Sequence, residues 1–159
     1  MELDATYQFN APVGKTWELL MDTAAIAHCL PGCRSLRPIG DDRYQVELKV
    51  AVAAVAGDFA GTVALEEQKP PDSYRLVVAC SGRQGFVTGH AVVTLAADGD
   101  RTRMHVSAQA DVGGKIARVG QRMLEGVARA TMKRFYKCLA KQLRQPGAAY
   151  DEQEDTEEA

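Results

Sequence analysis

The sequence predicts an α+β fold, a curved antiparallel sheet closed by one long C-terminal helix, and three observations predict it. Apolar and polar residues alternate with period two in segment after segment between Arg43 and Val112. The stretch from Lys115 to about Arg144 has no proline and repeats its apolar residues at helical spacing. The chain has 159 residues, 46% hydrophobic and 25% charged, enough for the core of one ordinary globular domain but not for two. The same composition excludes collagenous, wholly disordered and disulfide-scaffold classes.

Leu3 to Phe9 alternates with β-forming residues, and Asn10-Ala11-Pro12 stops it. Pro12 suits the first turn of a helix whose apolar residues Val13, Trp17, Leu20 and Met21 share one face up to about Thr23. Ala24 to Leu30 reads as a second short helix, broken by Pro31-Gly32. About six consecutive strands follow. Tyr44, Val46, Leu48, Val50 and Val52 face one way, and Phe59, Val63 and Leu65 continue that face after Gly57. Pro70-Pro71-Asp72-Ser73 turns the chain into Tyr74, Leu76, Val78 and Cys80. Ala91, Val93 and Leu95 point inward before Ala97-Asp98-Gly99-Asp100, and Thr102 to Val112 completes the set.

Gly113-Gly114 ends the sheet, and Lys115 to about Arg144 is predicted as one helix roughly 45 Å long. Gln145-Pro146-Gly147 would stop it. The expected organisation is a domain over residues 1–145 and a disordered acidic tail over 146–159. The longest apolar stretch, Val50 to Gly57, is far below the roughly 18 residues of a membrane span. Glu2 and Asp4 stand where a signal peptide needs basic and then apolar residues, and four cysteines in a chain this long read as reduced thiols, so the expected location is cytoplasmic.

Net charge is −2, but six acidic residues fall in the last nine positions, leaving 15 acids against 19 bases before them. Between Lys115 and Arg144 there are nine basic residues and one acid, Glu125. On a helix Lys115, Arg118, Arg122, Arg129, Lys133, Lys137 and Arg144 occupy about a third of the circumference. Such a stripe is either a solvated face or a surface for lipid headgroups or an acidic partner, and ordinary solvated faces mix both signs.

Catalytic signals are few. Cys29 and Cys33 lack a second pair or a nearby histidine to complete a zinc set. His90 and His105 point outward on neighbouring strands. Gly113 to Gly120 opens a helix after a strand but lacks the phosphate-loop spacing, which favours a tight turn over an anion site. No nucleophile elbow or inward carboxylate pair is present, and the inner positions can hold an apolar molecule while offering little to transform it. A curved sheet gripping one helix leaves an apolar hollow of the kind that binds ligands.

Ala11-Pro12 with Trp17, Leu30-Pro31-Gly32-Cys33, Phe59-x-Gly61, Gly85-Phe86-Val87-x-Gly89 and Val112-Gly113-Gly114-x-Ile116-Ala117-x-Val119-Gly120 follow one another along the chain. In these motifs, over residues 1 to about 143, the chain resembles the CoxG family, the G subunits of carbon monoxide dehydrogenase, within the START-like, helix-grip (SRPBCC) superfamily of hydrophobic-ligand binders. The resemblance implies a curved seven-stranded antiparallel sheet around the long C-terminal helix. It also implies an accessory role beside molybdenum hydroxylases such as aerobic carbon monoxide dehydrogenase, carrying or docking near membrane quinones. Some members continue into an apolar anchor, whereas this chain runs into Asp151-Glu152-Gln153-Glu154-Asp155, so no permanent anchor is expected.

The leading expectation is therefore a non-enzymatic module binding a lipophilic molecule for a redox enzyme. Phe59, Val63, Leu76, Val78, Phe86, Met104, Val106, Gly120, Met123 and Val127 are the candidate ligand contacts, and Leu30, Pro31, Gly32 and Gly85 the candidate portal. Arg118, Arg122, Arg129, Lys133 and Lys137 are the candidate surface for a partner or for peripheral contact with the inner face of an anionic membrane. No catalytic residue, metal, cofactor or nucleic acid is expected. The alternatives are a polyketide cyclase or hydratase type of enzyme, which needs a polar inner residue, and a structural assembly factor, for which the basic face would suffice.

Overall fold

A computed structural model of the chain describes residues 1–143. The tail expected over 146–159, and Arg144 at the end of the basic stripe, lie outside the described residues. Strand β1 (Glu2–Phe9) is followed by helices α1 (Val13–Leu20) and α2 (Thr23–Cys29). Strands β2 (Cys33–Gly40), β3 (Arg43–Val50), β4 (Gly57–Lys69), β5 (Ser73–Gly82), β6 (Gly85–Asp98) and β7 (Arg101–Gly113) come next, and α3 (Gln121–Gln142) closes the chain. The seven strands form one antiparallel sheet in the order β1-β7-β6-β5-β4-β3-β2. This is the expected curved seven-stranded sheet with a long C-terminal helix.

Local chemistry sets the helix ends. Pro12 has φ −61° and supplies a carbonyl that accepts from both the N–H of Thr16 at 3.0 Å and its hydroxyl at 3.1 Å. The Asp22 carboxylate accepts from the N–H groups of Ala24 and Ala25 at 3.0 and 3.3 Å, capping α2. Leu30 is extended before Pro31, so α2 stops there.

The inner face of the sheet carries two packed clusters. The first joins Tyr7 and Phe9 of β1, Trp17 and Leu20 of α1, Val93, Leu95 and Met104 of β6 and β7, and Tyr136 and Leu139 of α3. The Tyr136 ring stacks on Tyr7 at 4.7 Å and meets Phe9 edge-on at 5.1 Å, while its hydroxyl donates to the Gln8 carbonyl. The second cluster gathers Val46, Phe59, Cys80 and Ile116, with Leu124 and Val127 of α3 packed against it. Thr102, fully buried, donates to the Ala11 carbonyl at 2.8 Å and ties β7 to the β1–α1 connection. Thr102→Val keeps the shape but orphans that carbonyl, and is expected to cost about 1–3 kcal/mol. A thermal melt unmoved by the substitution would show that the carbonyl finds another donor.

Two sequence expectations are corrected. The helix predicted from Lys115 is broken: Lys115–Val119 is a 3₁₀ turn, Gly120 has φ 93°, and α3 begins at Gln121, giving 22 residues and about 33 Å. Ile116, 4% exposed, is drawn into the second cluster, and its N–H donates to the Gln84 carbonyl at 2.8 Å. That fixes the turn against the start of β6, and only a glycine re-aims the chain there without strain. Cys29 and Cys138 are not free thiols but a disulfide, their Cα atoms 5.3 Å apart. The bridge fastens α2 to α3, and Cys33 and Cys80 remain as the free thiols.

Candidate functional site

Between the two clusters lies a cavity of about 280 Å³, partly open to solvent. Its floor is Tyr44, Val46 and Leu48 of β3, Val63 and Leu65 of β4, and Tyr74, Leu76, Val78 and Cys80 of β5. Ladder register aligns these residues: Tyr44 lies beside Val63, Val63 beside Val78, and Leu65 beside Leu76. Period-two alternation puts all of them on one side, so a continuous apolar floor follows from three neighbouring strands. Thr23 and Ile26 of α2, with Leu30 after it, form one wall, and Phe135 of α3 closes another.

Among the described residues no carboxylate, histidine or basic side chain lines this space. Among the described residues, the side chains with a hydroxyl in its lining are Thr23, Tyr44 and Tyr74. Burial pushes the Tyr74 phenol well above its ordinary range and raises the Cys80 thiol, so both stay protonated at neutral pH. Cys33 is raised by burial too, partly offset by its bond to the Ser35 carbonyl. Neither thiol is poised as a nucleophile. Among the described residues no group of three or more His, Cys, Asp or Glu could hold a metal ion. The described lining is almost wholly apolar.

The structure brings Val63, Leu76, Val78 and Leu30 together at the cavity. Phe59 and Val127 lie in the second cluster, and Met104 and Val106 in and against the first, all engaged with other side chains rather than lining the space. Met123 is 47% exposed on α3, and Gly120 sits in the kink before it. Phe86, also 47% exposed, lies over Gly113, where an added Cβ would meet its ring at 2.2 Å. Of the portal residues only Leu30 reaches the cavity. Gly32 (φ 77°) is pressed against the Lys49 carbonyl, and Gly85 (φ 140°) against that of Gly113 beside Ile116. These glycines let backbones approach closely.

Sequence reasoning placed Tyr44, Val46, Leu48 and Tyr74 on the inner face without assigning them to the ligand, and overlooked Thr23, Ile26 and Phe135. The usable signal was the adjacency of three strongly alternating strands. Outside the cavity, His105 pairs with Asp4 at 3.1 Å on the exposed side of the sheet. Arg122, Arg129, Lys133 and Lys137 fall within about 80° of arc on α3, whereas Arg118 lies on the 3₁₀ turn ahead of the kink. Arg129 also donates to the Asp4 carbonyl at 3.2 Å.

Comparison with protein families matches residues 6–144 to the model for CoxG, the G subunit of carbon monoxide dehydrogenase. The chain belongs to that family. Among solved structures, a conserved protein from Geobacillus kaustophilus is 34% identical, with TM-score 0.87, covering 89% of this chain and 94% of its own. A START superfamily protein from Mycobacterium smegmatis (13% identity, TM-score 0.68, 89% and 96% covered) shares the fold of this CoxG family member. So does the Zhui aromatase/cyclase from Streptomyces sp. R1128, at 17% identity and TM-score 0.68 over 94% and 99% of the two chains. Comparison with curated protein sequences gives no match. The family resemblance and the START-like fold expected from the motifs are therefore correct. Among the described residues no helix is long and apolar enough to cross a membrane.

Proposed function

We propose that this protein is a ligand-binding accessory protein, not an enzyme, which carries a lipophilic molecule, with a quinone as the leading candidate, for a molybdenum hydroxylase such as aerobic carbon monoxide dehydrogenase. One observation supports this above the others: a cavity of about 280 Å³ whose lining, among the described residues, has three hydroxyls and no acid, base or cation. The volume suits a ring system, and a longer tail would leave through the open side. The family name supports such a partner, and residues 1–145 would act as one binding domain.

Native mass spectrometry of the purified protein, before and after organic extraction, tests the carrier. The expected result is an adduct that extraction removes and a lipophilic probe replaces. A protein that arrives without an adduct and takes up no probe is not a carrier. The enzyme reading, favoured by the fold shared with an aromatase/cyclase, predicts turnover of a bound polyketide and a loss of several hundredfold when one cavity hydroxyl is removed.

The basic stripe supports peripheral attachment to an anionic bilayer or to an acidic protein partner. Each cation near an anionic membrane contributes up to about 1 kcal/mol, so attachment is expected to be reversible and to weaken steeply with salt. Reversing Arg122, Arg129 and Lys133 to Glu should abolish sedimentation with anionic vesicles at low salt. Unchanged binding of both vesicles and the purified hydroxylase would leave the stripe an ordinary solvated face.

A further inference from the structure

We propose that Tyr74 is the hydrogen-bond donor that orients the guest, so that the cavity selects an apolar molecule bearing an oxygen acceptor, a carbonyl above all, at its buried end. The proposal rests on the carrier reading of the same cavity and adds to it a residue and a ligand chemistry.

Three other buried hydroxyls among the described residues are satisfied within the fold. Thr16 donates to the Pro12 carbonyl, Thr102 to that of Ala11 and Tyr136 to that of Gln8. Tyr74 is 6% exposed and lines the cavity, yet among the described residues nothing accepts its proton. Buried polar groups are almost always paired, so an unpaired donor on a cavity wall calls for an acceptor on the guest.

The hydroxyl is not sealed in packing. Arg75 Nε is the one described side-chain polar atom sealed in packing without a partner, so the Tyr74 hydroxyl is not sealed. Burial raises its pKa, so it meets a guest as a protonated donor. A resident water would need two to four polar partners. The next inward residues are Leu76 on β5 and, beside it, Leu65 on β4, which offer none.

The donor is also held in place. The Tyr74 ring meets Trp17 edge-on, centroids 5.6 Å apart at 85°, and its strand position is opposite buried Val93. A preorganised donor loses little freedom on binding. Tyr44, on β3 and only half-buried, can donate to solvent and discriminates less.

The test uses two rigid probes of one shape, fluorenone and fluorene, with wild type and Tyr74→Phe. The variant keeps the ring and its Trp17 contact. Its affinity for fluorenone should fall roughly 3- to 10-fold, the loss of one neutral hydrogen bond, with fluorene unchanged within about twofold. The infrared carbonyl band of bound fluorenone should shift to lower frequency in wild type and return in the variant. Equal weakening of both probes, or an unshifted band in wild type, overturns the role of Tyr74 while the carrier stands. If wild type binds neither probe, the carrier reading falls, and this one with it. Should the variant fail to fold, the band in wild type decides alone.

Discussion

Reducing the Cys29–Cys138 bridge is expected to lower the melting temperature by roughly 8–15 °C. The two cysteines are 109 positions apart, so the bridge removes the closure entropy of most of the chain from the unfolded state. For a loop of about 100 residues the chain-entropy treatment gives about 4.7 kcal/mol, and observed values centre on about 2–4 kcal/mol. At this size each kcal/mol moves the midpoint by about 2–4 °C. Cys138→Ala should reproduce the effect of a reductant, since Cys138 is only half-buried, and Cys33→Ala should not. The consequence extends to the site. Helix α2 supplies Thr23 and Ile26 to the cavity and α3 supplies Phe135, so loss of the tie should also weaken probe binding. Equal melting curves with and without reductant, and four titratable thiols in the denatured, unreduced protein, would show that the bridge does not form.

Filling the cavity is expected to abolish lipophilic binding without unfolding the protein. Val63 is in mid-floor, beside Tyr44 and Val78, and Val63→Trp directs its added volume into empty space. Probe affinity should fall by at least about 100-fold. Overpacking a closed core costs about 1–3 kcal/mol, whereas occupying a void recovers contacts worth about 24 cal/mol per Å³. Melting temperature should therefore stay level or rise, and the contrast between the two readouts is the test. A matched substitution at Leu95, in the packed first cluster and outside the cavity lining, should destabilise and leave affinity alone. Probe binding that survives Val63→Trp would place the site elsewhere.

The alternation of Tyr74, Leu76, Val78 and Cys80 against Arg75 fixed one side of β5 before any tertiary contact was known, because side-chain direction in a strand is a property of each residue and its neighbours. The same local logic located Pro12, Pro31-Gly32 and Gly113-Gly114 as boundaries, and Arg122, Arg129, Lys133 and Lys137 as one helix face. The order of elements and the apolar character of the interior were thus properties of the sequence alone. Depth was not. Val63 and Met104 both face inward, yet Met104 is buried in one cluster with the aromatic residues of β1 and α3 while Val63, packed against the other cluster, lines the cavity. Alternation says which side a residue takes. It does not say what stands opposite. That depended on where α3 lies across the sheet, which followed from Ile116 being pulled into the second cluster and Gly120 re-aiming the chain. Cys29 and Cys138, likewise, were ordinary thiols until α2 packed on α3 and brought their Cα atoms to 5.3 Å. Tertiary structure decided the cavity, the bridge and the unpartnered Tyr74, because each depends on the distance between residues far apart in the chain, which no local period encodes.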